Sequence, residues 1–174
     1  MTKQKKKRLL IDFLLLVLLI TVDRISKYLI ITQYQEREIY PVIDKVISIQ
    51  YYKNHGGVWG ILDGQYVLFI FITCIVLLCL GIMLVKLPQE KRFTAFHIGL
   101  TILAAGATGN MIDRFSYHYV IDFVKIELFH FPIFNISDIY ITFASLYIIF
   151  LLIFKYREND LKFMDTKQVK YRKF

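Results

Sequence analysis

The sequence predicts an all-α membrane protein with four transmembrane helices and a small extracytoplasmic β element. Of its 174 residues, 56% are hydrophobic, and most of these fall in four long apolar runs. A helix of about 20 residues crosses roughly 30 Å of hydrocarbon, and each run reaches that length. We therefore expect a single membrane domain, residues 1–174, with helices at about 9–31, 66–86, 93–113 and 136–154.

The first apolar run follows a basic N-terminal arm that carries Lys3, Lys5, Lys6, Lys7 and Arg8. A basic arm before an apolar run is also the pattern of a cleaved signal peptide. Here no small-x-small cleavage site follows, and apolar residues resume at 25–31 after an Asp-Arg pair. We therefore expect a first helix that is retained in the membrane.

Residues 32–65 are mixed in character. Ile47, Ile49 and Tyr51 alternate with polar or amphipathic residues, which is typical of a short strand. Residues 53–60 form a glycine-rich stretch, where glycine permits unusual backbone angles or the close approach of another chain. We expect a small β element on the membrane surface.

Lysine and arginine are concentrated in the N-terminal arm, the 86–92 turn and the tail 155–174. The excess of such residues in cytoplasmic segments places these three segments, and both termini, in the cytoplasm. Loops 32–65 and 114–135 then face outward. The net charge of +8 is thus a topology signal, and it forms no basic stripe interleaved with aromatics that would indicate nucleic acid. Cys74 and Cys79, spaced i, i+5 in one apolar run, are expected to be packing residues.

Polar residues from distant parts of the chain are predicted to lie at one depth. If helix 1 enters the membrane near residue 9 and helix 3 near residue 93, Asp23 lies about 21 Å deep, and Asn110 and Asp113 about 25 and 30 Å deep. Helix 4 runs in the opposite direction, so Asp138 at its start also lies near the outer face. All of them should meet at the outer hydrocarbon boundary, beside the loop that carries Asp122.

The helical faces agree with this placement. One stripe of helix 3 has small and polar residues at i, i+3, i+4 and i+7, namely Gly106, Gly109, Asn110 and Asp113. Small residues at 104–109 would let a neighbouring helix or an extended substrate approach closely. On helix 1, Asp23 and Lys27 stand at i, i+4 in the order that favours an ion pair.

Structural roles are open for several of these residues. Asn135 and Asp138 have the spacing of a capping box at the start of helix 4. Asp113 and Arg114 are candidates for an interfacial ion pair that ends helix 3. Asp122 has no helix to cap and is flanked by apolar residues on both sides, so we expect a carboxylate held in an apolar strand or turn.

Asp122 and Asp138 are therefore candidates for a catalytic pair. One is expected in apolar surroundings and the other beside the positive end of a helix, and these environments push carboxyl pKa values apart. Such a pair can share one proton, so that one carboxylate draws a proton from water while its protonated partner polarises a carbonyl. The two groups would titrate as a unit.

Five blocks along the chain match one known family in order and spacing. They are Asp23 with Lys27, Asn54-x-Gly56-Gly57-x-Trp59-Gly60, Gly109-Asn110-x-x-Asp113-Arg114, Val120-Ile121-Asp122-Phe123, and Phe134-Asn135-Ile136-Ser137-Asp138. In these blocks the chain resembles bacterial lipoprotein signal peptidase, also called signal peptidase II.

The resemblance implies an intramembrane aspartic endopeptidase of the bacterial cytoplasmic membrane, which removes the signal peptide of diacylglyceryl-modified prolipoproteins by cutting before the lipidated cysteine. It implies Asp122 and Asp138 as the catalytic dyad near the outer face, without metal or cofactor. The implied site-lining residues are Asn54, Asn110, Arg114 and Asn135, and the implied supporting residues are Asp23, Lys27, Asp113, Gly56, Gly57 and Gly109. The implied partners are the prolipoprotein and membrane lipids, and globomycin-type depsipeptides are implied inhibitors.

Three positions depart from the usual family pattern. Ser137 stands where alanine is usual, Ile139 where a small hydroxyl residue is common, and Gly57-Val58 where Ala-Ala is more usual. Ser137 is expected to add a hydrogen bond that shifts the pKa values of the dyad, and Gly57 to loosen its loop. These departures bear on substrate preference more than on activity.

Two alternatives from other functional classes stay open. A small proton-coupled carrier would use Asp23, Asp113 and Asp138 as a relay. It would need polar groups throughout the membrane thickness, and we predict inner halves of the helices that are nearly free of them. A non-catalytic membrane subunit would tolerate amides at Asp122 and Asp138. The sequence has no zinc, serine-elbow or Gly-x-Gly-Asp protease motif, and its histidines follow no metal-ligand spacing.

Overall fold

A computed structural model describes residues 2–57, 60–157 and 160. It contains four long helices, α1 (Lys3–Gln33), α2 (Tyr66–Lys86), α3 (Thr94–Tyr117) and α4 (Ile136–Phe154), and three strands, β1 (Tyr40–Ile43), β2 (Ile47–Asn54) and β3 (Val120–Ile126). A short 3-10 helix, Lys91–Phe93, leads into α3. Val58 and Trp59 of the glycine-rich block, and residues 161–174 of the basic tail, lie outside the described residues.

Three helices of the described chain are long and apolar enough to cross a membrane, namely α2, α4 and the segment Lys91–Tyr117 that contains α3. The predicted crossing at 9–31 is not among them, because α1 carries Asp12, Asp23, Arg24 and Lys27 within its length. Four crossings therefore stay a prediction. The chain is mostly helical with a small sheet, as expected.

Helix α1 buries charged side chains and exposes apolar ones, which is the reverse of a helix in a water-soluble protein. Its buried residues are Asp12, Asp23, Lys27 and Ile30, while Leu14 and many other large apolar side chains are exposed. In hydrocarbon, apolar side chains cost nothing on the outside, and polar groups must find partners inside the protein. This arrangement fits a helix whose outer face meets lipid.

Helix α3 is the centre of the bundle and packs against α1, α2 and α4. Within its most apolar window 56% of the residues are buried, compared with 6% for α2. The expected close approach occurs at its glycines. A Cβ at Gly106 would lie 2.5 Å from the Ser137 carbonyl oxygen, and one at Gly109 would lie 2.1 Å from Ser137 Oγ. Only glycine lets α4 pack this tightly against α3.

The predicted β element is confirmed as an antiparallel sheet in the order β1-β2-β3. Strand β3 follows α3 directly, after a left-handed residue at His118 (φ 66°) that ends the helix. The register pairs Tyr52 with Asp122 and Asn54 with Val120. Tyr51 of β2 and Ile121 of β3 belong to one buried apolar cluster. This packing fixes the sheet, and with it Asp122, at the end of the bundle.

Candidate active site

Asp122 and Asp138 line one cavity of about 430 Å³. Asp122 stands in β3 and is 2% exposed, whereas Asp138 lies in the first turn of α4. Asn54, Asn110 and Arg114 line the same cavity. The structure thus brings together, in one cavity, two carboxylates that are 16 residues apart in the sequence.

Asn135 contacts both carboxylates. Its Nδ2 donates to Asp122 Oδ1 at 2.7 Å, and its backbone N–H donates to Asp138 Oδ2 at 3.0 Å. Its own Oδ1 accepts from the Asp138 backbone N–H at 3.0 Å, which completes a capping box. The capping alternative is therefore confirmed, and the same cap presents Asp138 to the cavity. The structural and the functional interpretation of this residue are compatible.

Two further amides complete the hydrogen bonding of the carboxylates. Asn54 Nδ2 donates to Asp122 Oδ2 at 2.8 Å, and Asn110 Nδ2 donates to Asp138 Oδ1 at 2.8 Å. Each of the four carboxylate oxygens thus accepts one N–H. Amide donors of this kind hold a carboxylate in one orientation without adding a full charge beside it.

The environment of Asp122 makes it a proton donor or acceptor near neutral pH. Burial, together with the negative charge of Asp138, raises the pKa of Asp122 from 3.8 to about 7, while the amides of Asn54 and Asn135 act against this rise. A carboxyl group whose pKa lies near the working pH is suited to general acid-base chemistry.

A buried ionic cluster supports the site from behind. Lys27 is 1% exposed, and its Nζ lies 2.7 Å from Asp113 Oδ2 and 3.3 Å from Asp23 Oδ2. The same ammonium donates to Asn110 Oδ1 at 3.0 Å, and Asn110 donates in turn to Asp138. The predicted pairing of Asp23 with Lys27 is confirmed. The cluster fixes the orientation of the Asn110 amide, because an ammonium group can only be a donor.

The alternative of an ion pair between Asp113 and Arg114 is not borne out, because the two side chains bond other groups. Asp113 Oδ1 accepts from Arg24 Nη1 at 2.6 Å, and its Oδ2 accepts from the Ile121 backbone N–H at 3.2 Å. Arg114 donates to the Gly56 carbonyl oxygen at 3.1 Å and lies 4.4 Å from the centre of the Phe69 ring. Both side chains thus take partners from other segments of the chain, Asp113 from α1 and β3 and Arg114 from α2 and the glycine-rich loop.

Sequence reasoning missed Arg24. Its guanidinium bonds Asp23 Oδ2 at 2.6 Å and the Gly109 carbonyl oxygen at 3.0 Å, in addition to Asp113. Ser137 adds a hydrogen bond, as expected, but its Oγ donates to Asp23 Oδ1 at 2.7 Å and not to either carboxylate of the pair. No spacing rule signals the contacts of Arg24 with α3 or of Ser137 with α1, since these contacts depend on how α1 is rotated against α3 and α4.

A second buried ionic group, also missed, lies at the other end of the bundle. His97 Nδ1 lies 2.7 Å from Asp12 Oδ2, and Arg8 Nε lies 3.1 Å from Asp12 Oδ1. His97 is 1% exposed and its Nε2 lies 3.3 Å from the Pro88 carbonyl oxygen. The prediction of nearly non-polar inner halves is therefore wrong. An aspartate inside the first apolar run was the available signal.

The glycine-rich loop borders the cavity from outside. Gly56 N donates to Asn54 Oδ1 at 3.0 Å, and this bond orients the amide that reaches Asp122. A Cβ at Gly56 would lie 3.0 Å from the Ile61 carbonyl oxygen, so a larger residue has little room. Gly57 lines the cavity, and its N–H donates to the same Ile61 oxygen at 2.8 Å.

Among the residues that the structure describes, no group of three or more His, Cys, Asp or Glu side chains is placed to hold a metal ion. The polar groups that the described side chains offer around the cavity are carboxylates, amides, threonine hydroxyls and one guanidinium. The chemistry available from them is proton transfer and hydrogen bonding.

Comparison with known proteins identifies the family of this chain. A family model for signal peptidase (SPase) II matches residues 15–154. The lipoprotein signal peptidase of Staphylococcus haemolyticus is 33% identical over 153 residues, covering 86% of this chain and 95% of the relative. That of Staphylococcus aureus (strain JH9) is 35% identical over 144 residues, covering 82% and 87%.

Two solved structures are similar to this chain in fold and sequence. A bacterial membrane enzyme determined at 2.3 Å resolution superposes with a TM-score of 0.74 and 32% identity, covering 82% of this chain and 87% of the other. A second one, determined at 1.9 Å resolution, has a TM-score of 0.73 and 31% identity, covering 83% and 94%. The family match spans well over half of the sequence, and the chain therefore belongs to the signal peptidase II family.

Proposed function

We propose that this protein is an intramembrane aspartic endopeptidase that removes the signal peptide of diacylglyceryl-modified prolipoproteins, cutting before the lipidated cysteine. Its family makes it a signal peptidase, and the relatives named lipoprotein signal peptidase support the substrate class. The observation that carries the aspartic mechanism is that Asp122 and Asp138 line one cavity and share Asn135 as a hydrogen-bond donor.

The mechanism uses the two carboxyl groups as a unit that holds one proton. The ionised member takes a proton from a water molecule as the water oxygen attacks the scissile carbonyl carbon. The protonated member donates its proton toward the carbonyl oxygen and so stabilises the tetrahedral intermediate. Collapse of that intermediate breaks the C–N bond, and a proton passes to the leaving amine. A pKa of about 7 at Asp122 favours a shared proton at neutral pH.

The amides and Arg114 have positioning roles in this scheme. Asn54, Asn110 and Asn135 hold both carboxylates in place before substrate binds, so little reorganisation is needed during the reaction. Arg114 adds a positive charge to the cavity wall, held against Phe69 and the Gly56 carbonyl. That charge favours the build-up of negative charge on the substrate carbonyl oxygen.

The lipid-modified substrate binds against the apolar part of the cavity wall. This part includes Ile72 and Val76 of α2, Leu103 of α3 and Ile141 of α4. A groove between helices suits a signal peptide and its acyl chains, which stay in contact with membrane lipid. We further propose one membrane domain with four crossings, both termini in the cytoplasm and the site near the outer face.

The test is the pair of variants Asp122→Asn and Asp138→Asn, assayed on a lipidated precursor peptide in detergent or proteoliposomes. Each should lower kcat/KM by at least about a hundredfold, because an amide cannot transfer the proton. Asp44→Asn, at an exposed turn position, is the matched control and should keep full activity. Cleavage at the normal rate by either dyad variant would refute the mechanism.

A further inference from the structure

A second cavity of about 710 Å³ opens beside the catalytic one. Its lining comes from the residues after α1, from β2 and the glycine-rich loop, and from residues 130–133 before α4. None of its lining residues belongs to α1, α2, α3 or α4. The catalytic cavity, in contrast, takes more than half of its lining from α2, α3 and α4. We call the second cavity the outer groove.

The outer groove adjoins the catalytic cavity. Both are lined by Asn54, Gly57, Phe131, Pro132 and Ile133. Asn54 is also the residue whose amide bonds Asp122. A chain bound across the two carboxylates that continues past these shared residues reaches the outer groove.

The chemical character of the lining changes at this junction. On the inner side the wall is mainly apolar. On the outer side it carries two acidic and two basic side chains, Glu36, Arg37, Lys53 and Asp63. Their formal charges balance, and Lys53 Nζ is paired with Glu36 Oε2 at 2.6 Å. Such a surface suits a polar chain without a strong charge of either sign.

Hydrogen bonds and a ring contact fix the part of the outer groove that contains Arg37 and Lys53. The Arg37 N–H donates to the Tyr51 carbonyl oxygen at 2.9 Å, and Gln50 Nε2 donates to the Arg37 carbonyl oxygen at 3.1 Å. The Lys53 ammonium lies 5.6 Å from the centre of the Tyr119 ring. These contacts tie the wall to β2 and to the residue before β3, so the outer groove is a preformed feature.

We propose that the outer groove binds the first residues of the mature lipoprotein, those that follow the lipidated cysteine. The inference rests on the proposed function, because that function divides the substrate at the scissile bond. The segment before this bond is apolar and belongs in the membrane, and the segment after it is polar and leaves toward water. The two cavities change character in the same order. A volume of about 710 Å³ lies in the range of about 300–1,000 Å³ that is usual for ligand sites, enough for a few extended residues.

The experiment compares two precursor peptides with the same signal peptide and the same lipidated cysteine. One ends one residue after the cysteine, and the other continues for five uncharged polar residues. For the unmodified protein the longer precursor should have a kcat/KM about tenfold higher, mainly through KM, the effect of one or two net hydrogen bonds.

A variant then locates this advantage in the outer groove. His130→Trp places a large ring at an exposed position of the groove lining, and it should bring the ratio of the two kcat/KM values close to one. Leu128→Trp, two residues earlier, is the matched control. It adds the same ring at an exposed position that lines neither cavity, and it should preserve the ratio.

Each outcome has a distinct meaning. Equal kcat/KM for the two precursors in the unmodified protein would overturn the inference and leave the proposed function intact. A tenfold ratio that persists in His130→Trp would do the same. A ratio lost equally in Leu128→Trp would also overturn the assignment to the outer groove. If the unmodified protein cleaved neither precursor, the proposed function itself would fail.

Discussion

Replacing Asp122 by asparagine should stabilise the protein at neutral pH while it removes activity. The side chain is 2% exposed, and burial together with the charge of Asp138 raises its pKa from 3.8 to about 7. Because the folded protein holds this proton more tightly than the unfolded chain, the stabilising effect is complete below about pH 4 and is lost as the pH rises through about 7. Asparagine does not ionise, so the variant does not lose this stability as the pH rises.

The magnitude follows from the pKa shift and the hydrogen bonds. The rise of the Asp122 pKa from 3.8 to about 7 corresponds to about 4 kcal/mol of lost stability once the carboxyl is ionised. Asparagine at this position faces two amide donors, Asn54 Nδ2 and Asn135 Nδ2, and can accept from only one of them through its oxygen. One mispaired amide costs about 1–3 kcal/mol. The net expectation is a gain of about 1–3 kcal/mol at pH 8.

The assay is thermal unfolding in detergent at pH 5 and pH 8, for the unmodified protein, Asp122→Asn and the control Asp44→Asn. At about 2–4 °C per kcal/mol, the Asp122→Asn variant should melt several degrees above the unmodified protein at pH 8, with a smaller difference or the opposite sign at pH 5. Asp44→Asn should follow the unmodified protein. A dyad variant that melts lower at pH 8, or whose difference does not change with pH, would refute the electrostatic argument.

Three further predictions concern the rate and the packing. The kcat/KM for a lipidated precursor should fall as the pH rises above about 7, because the pair then loses the proton that its mechanism requires, and a rate that stays flat up to pH 9 would contradict this. Gly109→Ala should lower stability by about 1–3 kcal/mol or more, because its Cβ would lie 2.1 Å from Ser137 Oγ, whereas Gly81→Ala, with nothing within 4 Å, should melt like the unmodified protein. Asp12→Leu should cost about 3–5 kcal/mol in unfolding measurements by leaving Arg8 and His97 without their buried partner, and adding His97→Leu should recover part of that loss; a double variant as unstable as the sum of the single ones would show that the two residues are not coupled.

The candidate site could be predicted from the sequence to the extent that the spacing within one helix or turn determines it. The capping-box spacing of Asn135 and Asp138 and the i, i+4 spacing of Asp23 and Lys27 are local rules, and both pairings form in the structure. The glycine at 109 was predicted to permit close packing, and it does so against Ser137. Local geometry is enough wherever both partners belong to one helix or one turn.

The partners of Arg24, Asp113 and Ser137 could not be predicted in this way. Arg24 reaches Asp113 across 89 positions and Ser137 reaches Asp23 across 114. Which side chains meet over such separations depends on how each helix is rotated about its axis. An apolar sequence specifies that rotation weakly, because most faces of a lipid-exposed helix are equally hydrophobic.

The sequence by itself determined that the chain is a membrane protein of helices with a small sheet. The membrane helices follow from hydrocarbon thickness and from the rise of a helix, which act on each segment separately. The tertiary structure alone decided that Asn135 bonds both Asp122 and Asp138, that the ionic cluster behind them includes Arg24, and that a polar groove adjoins the cavity. These features join segments that are distant in sequence, and only the packing of α3 against its neighbours and of β3 against β2 brings them together.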